Sequence, residues 1–286
     1  MKKFLIQIPI ISFILICISL AIYTIGIYIS QYDQKTDAVY VWGDSQMYQG
    51  LDILSLSTEL QLPILSSARH GSGIYDFLIS AECIPSQSTC IIALPECALY
   101  RTPDADYNQT GFSFTSIWKL YECGCPFEEY YRIANLNRNK LYYEPFSTSN
   151  QLYEYASKIV CPEPLNGFCE MFNKETDFSQ WKQKAYKYGL NNLANKKCRL
   201  ILIQFPFHEQ VEECAQGSYN RNMTDNLRKE LVAQYRLEVH QVKLESDSLL
   251  MHDLSHLNEI GARLVTNHVS EIIRSSKNNL FIKIEL

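Results

Sequence analysis

Ala38-Val39-Tyr40-Val41-Trp42-Gly43-Asp44-Ser45 opens with five apolar residues in a row and closes with three that favour a turn. A strand buried on one face alternates apolar and polar side chains. A short run without alternation predicts a strand covered on both faces. Residues 62–66, 90–94 and 199–205 read the same way, and residues 237–244 supply a fifth strand. Helical spacing falls between these runs. Ile53, Leu54 and Leu60 share one such segment, and Ile74, Phe77, Leu78 and Ala81 the next. Leu227, Leu231 and Tyr235 form a stripe after Thr224, which is expected to cap it. A final helix is expected over residues 259–274, with Asn258 as its N-cap. Strands alternating with helices predict the α/β class: a doubly wound parallel sheet with right-handed crossovers.

Residues 101–197 break this rhythm. They are rich in tyrosine, offer no further parallel strand, and look helical over 127–136, 151–160 and 178–193. They are expected to form a large, mainly helical insertion between the third and fourth strands.

The N-terminus carries a different signal. Lys2 and Lys3 precede residues 4–32, which hold no charge. About 20 apolar residues cross a bilayer as a helix, and the stretch over residues 4–29, dominated by Ile, Leu and Phe, exceeds that length. A cleaved signal peptide is the competing reading, with Ser19 and Ala21 as small residues. The apolar run continues beyond them, so residues 1–32 are expected to be a transmembrane anchor and residues 33–286 the folded domain. The paired lysines keep the short N-terminal end cytoplasmic. The domain is then expected outside the cytoplasm, held to the membrane by a single pass.

The 286-residue chain has 26 Lys and Arg against 31 Asp and Glu, a formal net charge of -5. No cationic excess is available to neutralise phosphates, so nucleic acid is not an expected partner. Of ten cysteines, Cys17 falls in the apolar run. An exported domain permits disulfides, and the odd remainder leaves at least one thiol outside an intramolecular pair. Pairings are not readable from spacing. Neither Cys123-Gly-Cys125 nor Cys161 with Cys169 has zinc-site spacing, and no metal is expected. Cys90 and Cys198 lie in apolar strand runs and read as small buried hydrophobes.

Ser45 follows the first strand directly, which puts it at the carboxyl edge, where open α/β sheets bind ligands. A helix starting beside it would aim amide dipoles at that hydroxyl, and Gly43 permits the tight turn. Alone, Gly-Asp-Ser is a turn and a helix cap. Met251-His252-Asp253-Leu254-Ser255-His256-Leu257-Asn258 follows the last expected core strand and precedes the final helix, so it falls on the same edge. Asp253 and His256 are three residues apart. On a short turn the carboxylate reaches Nδ1 and fixes the tautomer, leaving Nε2 for a serine proton.

Gly43-Asp44-Ser45 near the start and Asp253-x-x-His256 near the end together resemble the SGNH (GDSL-type) hydrolase superfamily. The block running from Asp253 to Ala262 is especially similar to that family's last motif. The resemblance implies a flavodoxin-like sheet and serine-dependent acyl transfer without a cofactor, with Ser45, Asp253 and His256 catalytic. It implies an oxyanion hole from the Ser45 amide and a glycine after the second strand, here Gly71 or Gly73. The family also supplies an Asn after the third strand, where this chain has Pro95-Glu96-Cys97. Two backbone amides, or a donor such as Arg69 or His70, are expected to serve instead, and Arg69, His70 and His208 are expected to line the substrate cleft. The expected function is an anchored esterase or O-acyltransferase acting on acyl esters of a cell-envelope glycan, or another ester. The alternative is a non-catalytic assembly or glycan-binding protein on the same scaffold.

Overall fold

The computed structural model describes residues 37–94, 113–137, 146–150, 162–173, 180–235, 237–244, 247–275 and 281–284, with Ile18, Glu96, Leu99 and Leu152. Six parallel strands form one sheet: β1 (Val39–Trp42), β2 (Ile64–Ser66), β3 (Thr89–Ala93), β4 (Arg199–Gln204), β5 (Glu238–Leu244) and β6 (Phe281–Ile284). Their order is β2-β1-β3-β4-β5-β6. The chain steps from β1 outward to β2, then crosses back past β1 to β3, so the order reverses between β1 and β3. The carboxyl ends of those two strands form the switch point where such sheets bind ligands.

The helices are α1 (Ser45–Gly50), α2 (Ile53–Leu60), α3 (Ile74–Cys83), α4 (Phe114–Glu122), α5 (Phe127–Asn137) and α6 (Pro162–Asn173). They continue with α7 (Gln180–Asn195), α8 (Glu209–Ala215), α9 (Tyr219–Tyr235), α10 (Asp247–Leu250) and α11 (Glu259–Arg274). Alternate strand residues divide between two cores, as the two-residue period of a strand requires. Val39 and Val41, Ile91 and Ala93, and Ile201 and Ile203 pack with Met47, Leu56, Val265 and Val269, so α1, α2 and α11 cover that face. Tyr40 and Trp42, Cys90 and Ile92, and Leu200 and Leu202 pack with Phe77, Leu190 and Leu227, so α3, α7 and α9 cover the other. The doubly wound α/β expectation is met on both faces.

Aromatic side chains fix the second layer beneath the switch point. Trp42 and Phe77 lie 4.5 Å apart between ring centroids, and Phe77 and Tyr186 4.9 Å. Such pairs contribute about 0.5–1.5 kcal/mol each beyond area burial. The Tyr186 hydroxyl donates to the Ala93 carbonyl at 2.9 Å and ties α7 to the end of β3. Helix α7 is therefore part of the doubly wound frame, although it lies within the stretch expected as an insertion. Three further described helices, α4, α5 and α6, stand between β3 and β4, and a Cys169–Cys214 disulfide joins α6 to α8. Residues 101–112, 138–145, 151, 153–161 and 174–179 of the expected insertion lie outside the described residues.

Two local readings are corrected. Thr224 is not a cap: it is buried within α9, and its hydroxyl donates to Asn220 O at 3.1 Å. Ser218 stands before that helix instead, its Oγ accepting from Arg221 N at 3.3 Å. Strand β6 was not expected; its four residues include a lysine, a short strand of the kind that closes a sheet edge. Among the described residues no helix is long and apolar enough to cross a membrane. The expected anchor, residues 1–32, lies outside them apart from Ile18.

Candidate active site

Strand β1 ends at Trp42, and the chain turns at once. A Cβ on Gly43 would lie 2.3 Å from Met47 Cβ and 2.9 Å from Ala93 Cβ, closer than real Cβ atoms come, so only glycine fits between α1 and β3. Asp44 is the N-cap of α1, its Oδ1 accepting from Gln46 N at 3.1 Å. Ser45 is thereby the first helical residue, at the carboxyl end of β1. Its amide belongs to the first turn, which has no intrahelical partner. Asn150 holds the far end of α1: its Nδ2 donates to Leu51 O at 2.6 Å, and its Oδ1 accepts from Ile53 N at 3.1 Å.

The second half of the site is a closed loop. Met251 and Leu257 form an antiparallel bridge, His252 N donates to His256 O at 2.8 Å, and Asn258 N donates to Leu250 O at 2.9 Å. Inside the loop, Asp253 Oδ1 accepts from Ser255 N at 2.8 Å and His256 N at 2.9 Å. This is the local turn that short carboxylates favour. Asp253 Oδ2 lies 2.7 Å from His256 Nδ1, and His256 Nε2 lies 2.8 Å from Ser45 Oγ. Burial pushes the Asp253 carboxyl up, but hydrogen bonds from the His256 ring and from the Ser255 and His256 amides outweigh it and bring it to about 2. An ionised carboxylate only accepts. Nδ1 therefore carries the imidazole proton, and Nε2 presents a lone pair to the Ser45 hydroxyl. Asn258 then caps α11 through Oδ1, which accepts from Gly261 N at 3.0 Å.

Gln46 locks the two halves together. It is buried, and its Nε2 donates to Ser255 O at 3.1 Å and Pro206 O at 3.4 Å. The residue after Ser45 thus clamps the loop that carries His256. Sequence reading passed over Gln46 because no local pattern marks a contact across 209 residues.

The loop after β2 forms the third wall. Ser67 N donates to Val41 O at 2.8 Å and Arg69 N to Gly43 O at 3.3 Å, extending the pairing with β1 past the strand end. Gly71 is left-handed, with φ of 69°, a conformation glycine adopts without Cβ strain. Gly73 does not fit the expected oxyanion role, because its N–H donates to Asp76 Oδ2 at 2.9 Å and caps α3. Asp76, three residues on, thus supplies the returning half of a capping box, the only half a glycine N-cap can take part in. His70 is exposed, yet held: Gln49 Nε2 lies 3.1 Å from His70 Nε2, and the Tyr48 ring is 4.8 Å away. The His70 and His256 rings stand 6.2 Å apart. Burial of part of the ring, and then the neighbouring His256, hold the His70 pKa below its ordinary value.

Two other expected cleft residues divide. Arg69 lies on this wall through its backbone. His208 is buried as the N-cap of α8, its Nδ1 accepting from Gln210 N at 3.4 Å, so its ring serves the helix start and not a cleft wall. Where the resembling family places Asn, Glu96 is turned into the protein. Its Oε1 accepts from Gln204 Nε2 at 2.7 Å and lies 3.4 Å from Arg221 Nη1. Burial raises this carboxyl to about 7 against the opposing pull of Arg221.

Ser45, Asp253 and His256 are thus brought together, with the His70 ring 6.2 Å from that of His256. The arrangement can raise the nucleophilicity of one hydroxyl and return its proton to a leaving group. No protein-family model matches this chain, and no curated protein does.

Proposed function

We propose that the protein is a serine-dependent esterase or O-acyltransferase of the SGNH type. The observation that carries the reading is the unbroken relay from Asp253 through His256 to Ser45 Oγ, with contacts of 2.7 Å and 2.8 Å. In the reaction, Ser45 Oγ bonds to the ester carbonyl carbon while its proton passes to His256 Nε2. Asp253 stabilises the imidazolium that forms. The Ser45 amide and the Gly71 amide are assigned to the oxyanion. The intermediate collapses as the alcohol leaves with the proton from Nε2. Water or a glycan hydroxyl then gives its proton to the same nitrogen and takes the acyl group, and Nε2 passes that proton to the departing Ser45 Oγ, restoring both residues. The apolar N-terminal run supports an anchored enzyme facing outside the cytoplasm, and with that an acylated envelope glycan as substrate.

One observation favours the alternative, a non-catalytic glycan-binding or assembly scaffold. Glu96 is turned inward at the position where the resembling family presents a hydrogen-bond donor. Labelling by a fluorophosphonate separates the two. The enzyme reading expects a covalent adduct on Ser45 that is absent in Ser45→Ala. Equal, slow labelling of both proteins leaves the scaffold reading.

A further inference from the structure

Helices α4 and α5 turn aromatic side chains outward. A helix that covers a core keeps apolar residues on one face and polar residues on the other. On α4, Ile117 and Leu120 are buried as that pattern requires, yet Trp118 and Tyr121 are 56% and 63% exposed. On α5, Ile133 is buried, whereas Phe127 and Tyr131 are 77% and 59% exposed. Among the described residues these are four of the five exposed Trp, Tyr and Phe side chains. A tight turn joins the two helices. Cys125 N donates to Leu120 O at 3.0 Å and Gly124 N to Tyr121 O at 2.9 Å, the paired bonds of a Schellman motif, with Gly124 left-handed at φ of 86°.

The rings are held in pairs. Trp118 and Tyr121 lie 5.5 Å apart between centroids, and Phe127 and Tyr131 lie 6.3 Å apart with their planes 23° from parallel. Glu122 accepts from Trp118 Nε1 at 2.7 Å and pairs with Lys119 Nζ at 2.5 Å, so the acid on α4 is matched and the indole is fixed. Glu128 is exposed in the first turn of α5. The face therefore carries no cationic excess, and its attraction is apolar. Its place in the fold is also fixed. Ser113 Oγ and Ser116 Oγ, in the first turn of α4, donate to Glu82 at 2.9 Å and 2.8 Å. Glu82 lies in the last turn of α3, which leads into β3, and Val39 pairs with Thr89 where β1 and β3 both begin. Helix α4 thus starts at the amino edge of the sheet, the edge at which the chain arrives from its apolar N-terminal run. Residues 33–36 link that run to Asp37, and four residues reach at most about 14 Å.

We propose that the outer face of α4 and α5 docks on the bilayer that holds residues 4–29, with Trp118, Tyr121, Phe127 and Tyr131 seated at its headgroup boundary. The inference rests on the anchored reading above and adds to it a second, reversible contact. Tyr and Trp gather at that boundary because an apolar ring body is joined to a polar tip. A contiguous exposed apolar patch marks a surface that something covers. The short tether selects the bilayer as that cover, because it holds this edge of the domain beside lipid at all times.

Tryptophan fluorescence tests this on the full chain. The chain has three tryptophans, and Trp42 and Trp181 are buried, so Trp118 is the one that lipid can reach. The chain is placed in phosphatidylcholine nanodiscs with plain or brominated acyl chains, and the emission of Trp118→Phe is subtracted. Trp118 emission is expected to fall at least twofold in the brominated discs. In the double variant Phe127→Glu, Tyr131→Glu, which keeps Trp118, that loss is expected to shrink by at least half. Equal emission in the two discs overturns the proposal. So does undiminished quenching in the double variant, which would mean that the tether alone brings Trp118 near lipid. Equal emission that shifts on adding oligomers of N-acetylglucosamine would give the face to a glycan instead. Elution of the chain apart from the discs would remove the anchored reading and this inference together, whereas co-elution with unquenched Trp118 removes this inference alone. The comparison of plain and brominated discs stands even where the double variant does not fold. Labelling of Ser45 by a fluorophosphonate tests the catalytic reading separately.

Discussion

His256 Nε2 lies 2.8 Å from Ser45 Oγ across 211 residues of chain, and only the parallel sheet joins them. A serine hydroxyl without a base is a weak nucleophile. Ser45→Ala is therefore expected to abolish fluorophosphonate labelling, and His256→Ala to slow it by several orders of magnitude. Time courses of labelling, read by intact-protein mass, measure both. Labelling of His256→Ala at the unaltered rate would remove this histidine from the mechanism.

Asp253 makes a second, separable prediction. Its carboxylate fixes the tautomer of His256, so Asp253→Asn is expected to slow labelling by about 10³- to 10⁴-fold at pH 7, the size of effect found where an amide favours the wrong tautomer. The same group bears on stability. Its pKa is depressed from 3.8 to about 2, so its contribution is present above about pH 4 and lost as pH falls toward 2. Urea midpoints measured over that window should fall more steeply for the unmodified chain than for Asp253→Asn.

Glu96 has the opposite sign. Its folded pKa is raised from 4.5 to about 7, chiefly by burial. The unfolded chain releases this proton near pH 4.5 and the folded chain near pH 7. Its contribution is full below about pH 4.5 and is lost as pH rises through 7. One buried oxygen, Glu96 Oε2, has no hydrogen-bond partner among the described residues, which suits a protonated carboxyl. Glu96→Gln keeps the shape without the titration. Its stability is expected to vary less between pH 5 and pH 7.5, by on the order of 2–3 kcal/mol. Identical slopes for the two proteins would refute the raised pKa.

The strand runs and the two motifs that carry Ser45, Asp253 and His256 were legible because each is a local pattern. Unbroken apolar residues mark a strand buried on both faces, and Asn258 marks a helix start. Within the described residues, β1 to β5 and α11 stand where those patterns lie. What escaped depends on contacts between distant segments. Nothing near Gln46 in sequence announces Ser255, and nothing near Gln49 announces His70. The Cys169–Cys214 pairing likewise needed the fold, because spacing alone admits many connectivities. Gly73 was misread for another reason. Its capping partner Asp76 was visible three residues on, but the family resemblance drew the glycine toward the oxyanion.

Gly43 tests the turn that presents Ser45. A methyl there meets Met47 Cβ and Ala93 Cβ, neither of which is a flexible side-chain end. Overpacking of this kind costs about 1–3 kcal/mol. Gly43→Ala is expected to lower the thermal midpoint and, by displacing α1 from β3, to slow Ser45 labelling. A variant with unchanged stability and labelling would show that the turn yields to the added methyl.

His70 separates function from stability most cleanly. The ring is exposed, so its removal should change stability little, within about 0.5 kcal/mol for a surface position. Yet Gln49 and Tyr48 hold it beside His256, on the wall that also carries Gly71. Glu96 is turned inward and supplies no donor to the nucleophile. His70 is the side chain near Ser45 expected to supply one. Losing one oxyanion donor costs about 3 kcal/mol in the barrier, roughly a hundredfold in rate. His70→Ala is therefore expected to lower kcat/KM for a small activated ester by about that factor, mainly through kcat, at an unchanged thermal midpoint. Its lowered pKa keeps the ring neutral at pH 7, so the donor is a neutral N–H and the effect should persist to higher pH. Gln49→Leu, which leaves the imidazole but removes its tether, should give a smaller loss of the same kind. A change under threefold in His70→Ala would assign the ring to the surface and leave the backbone amides as the donors.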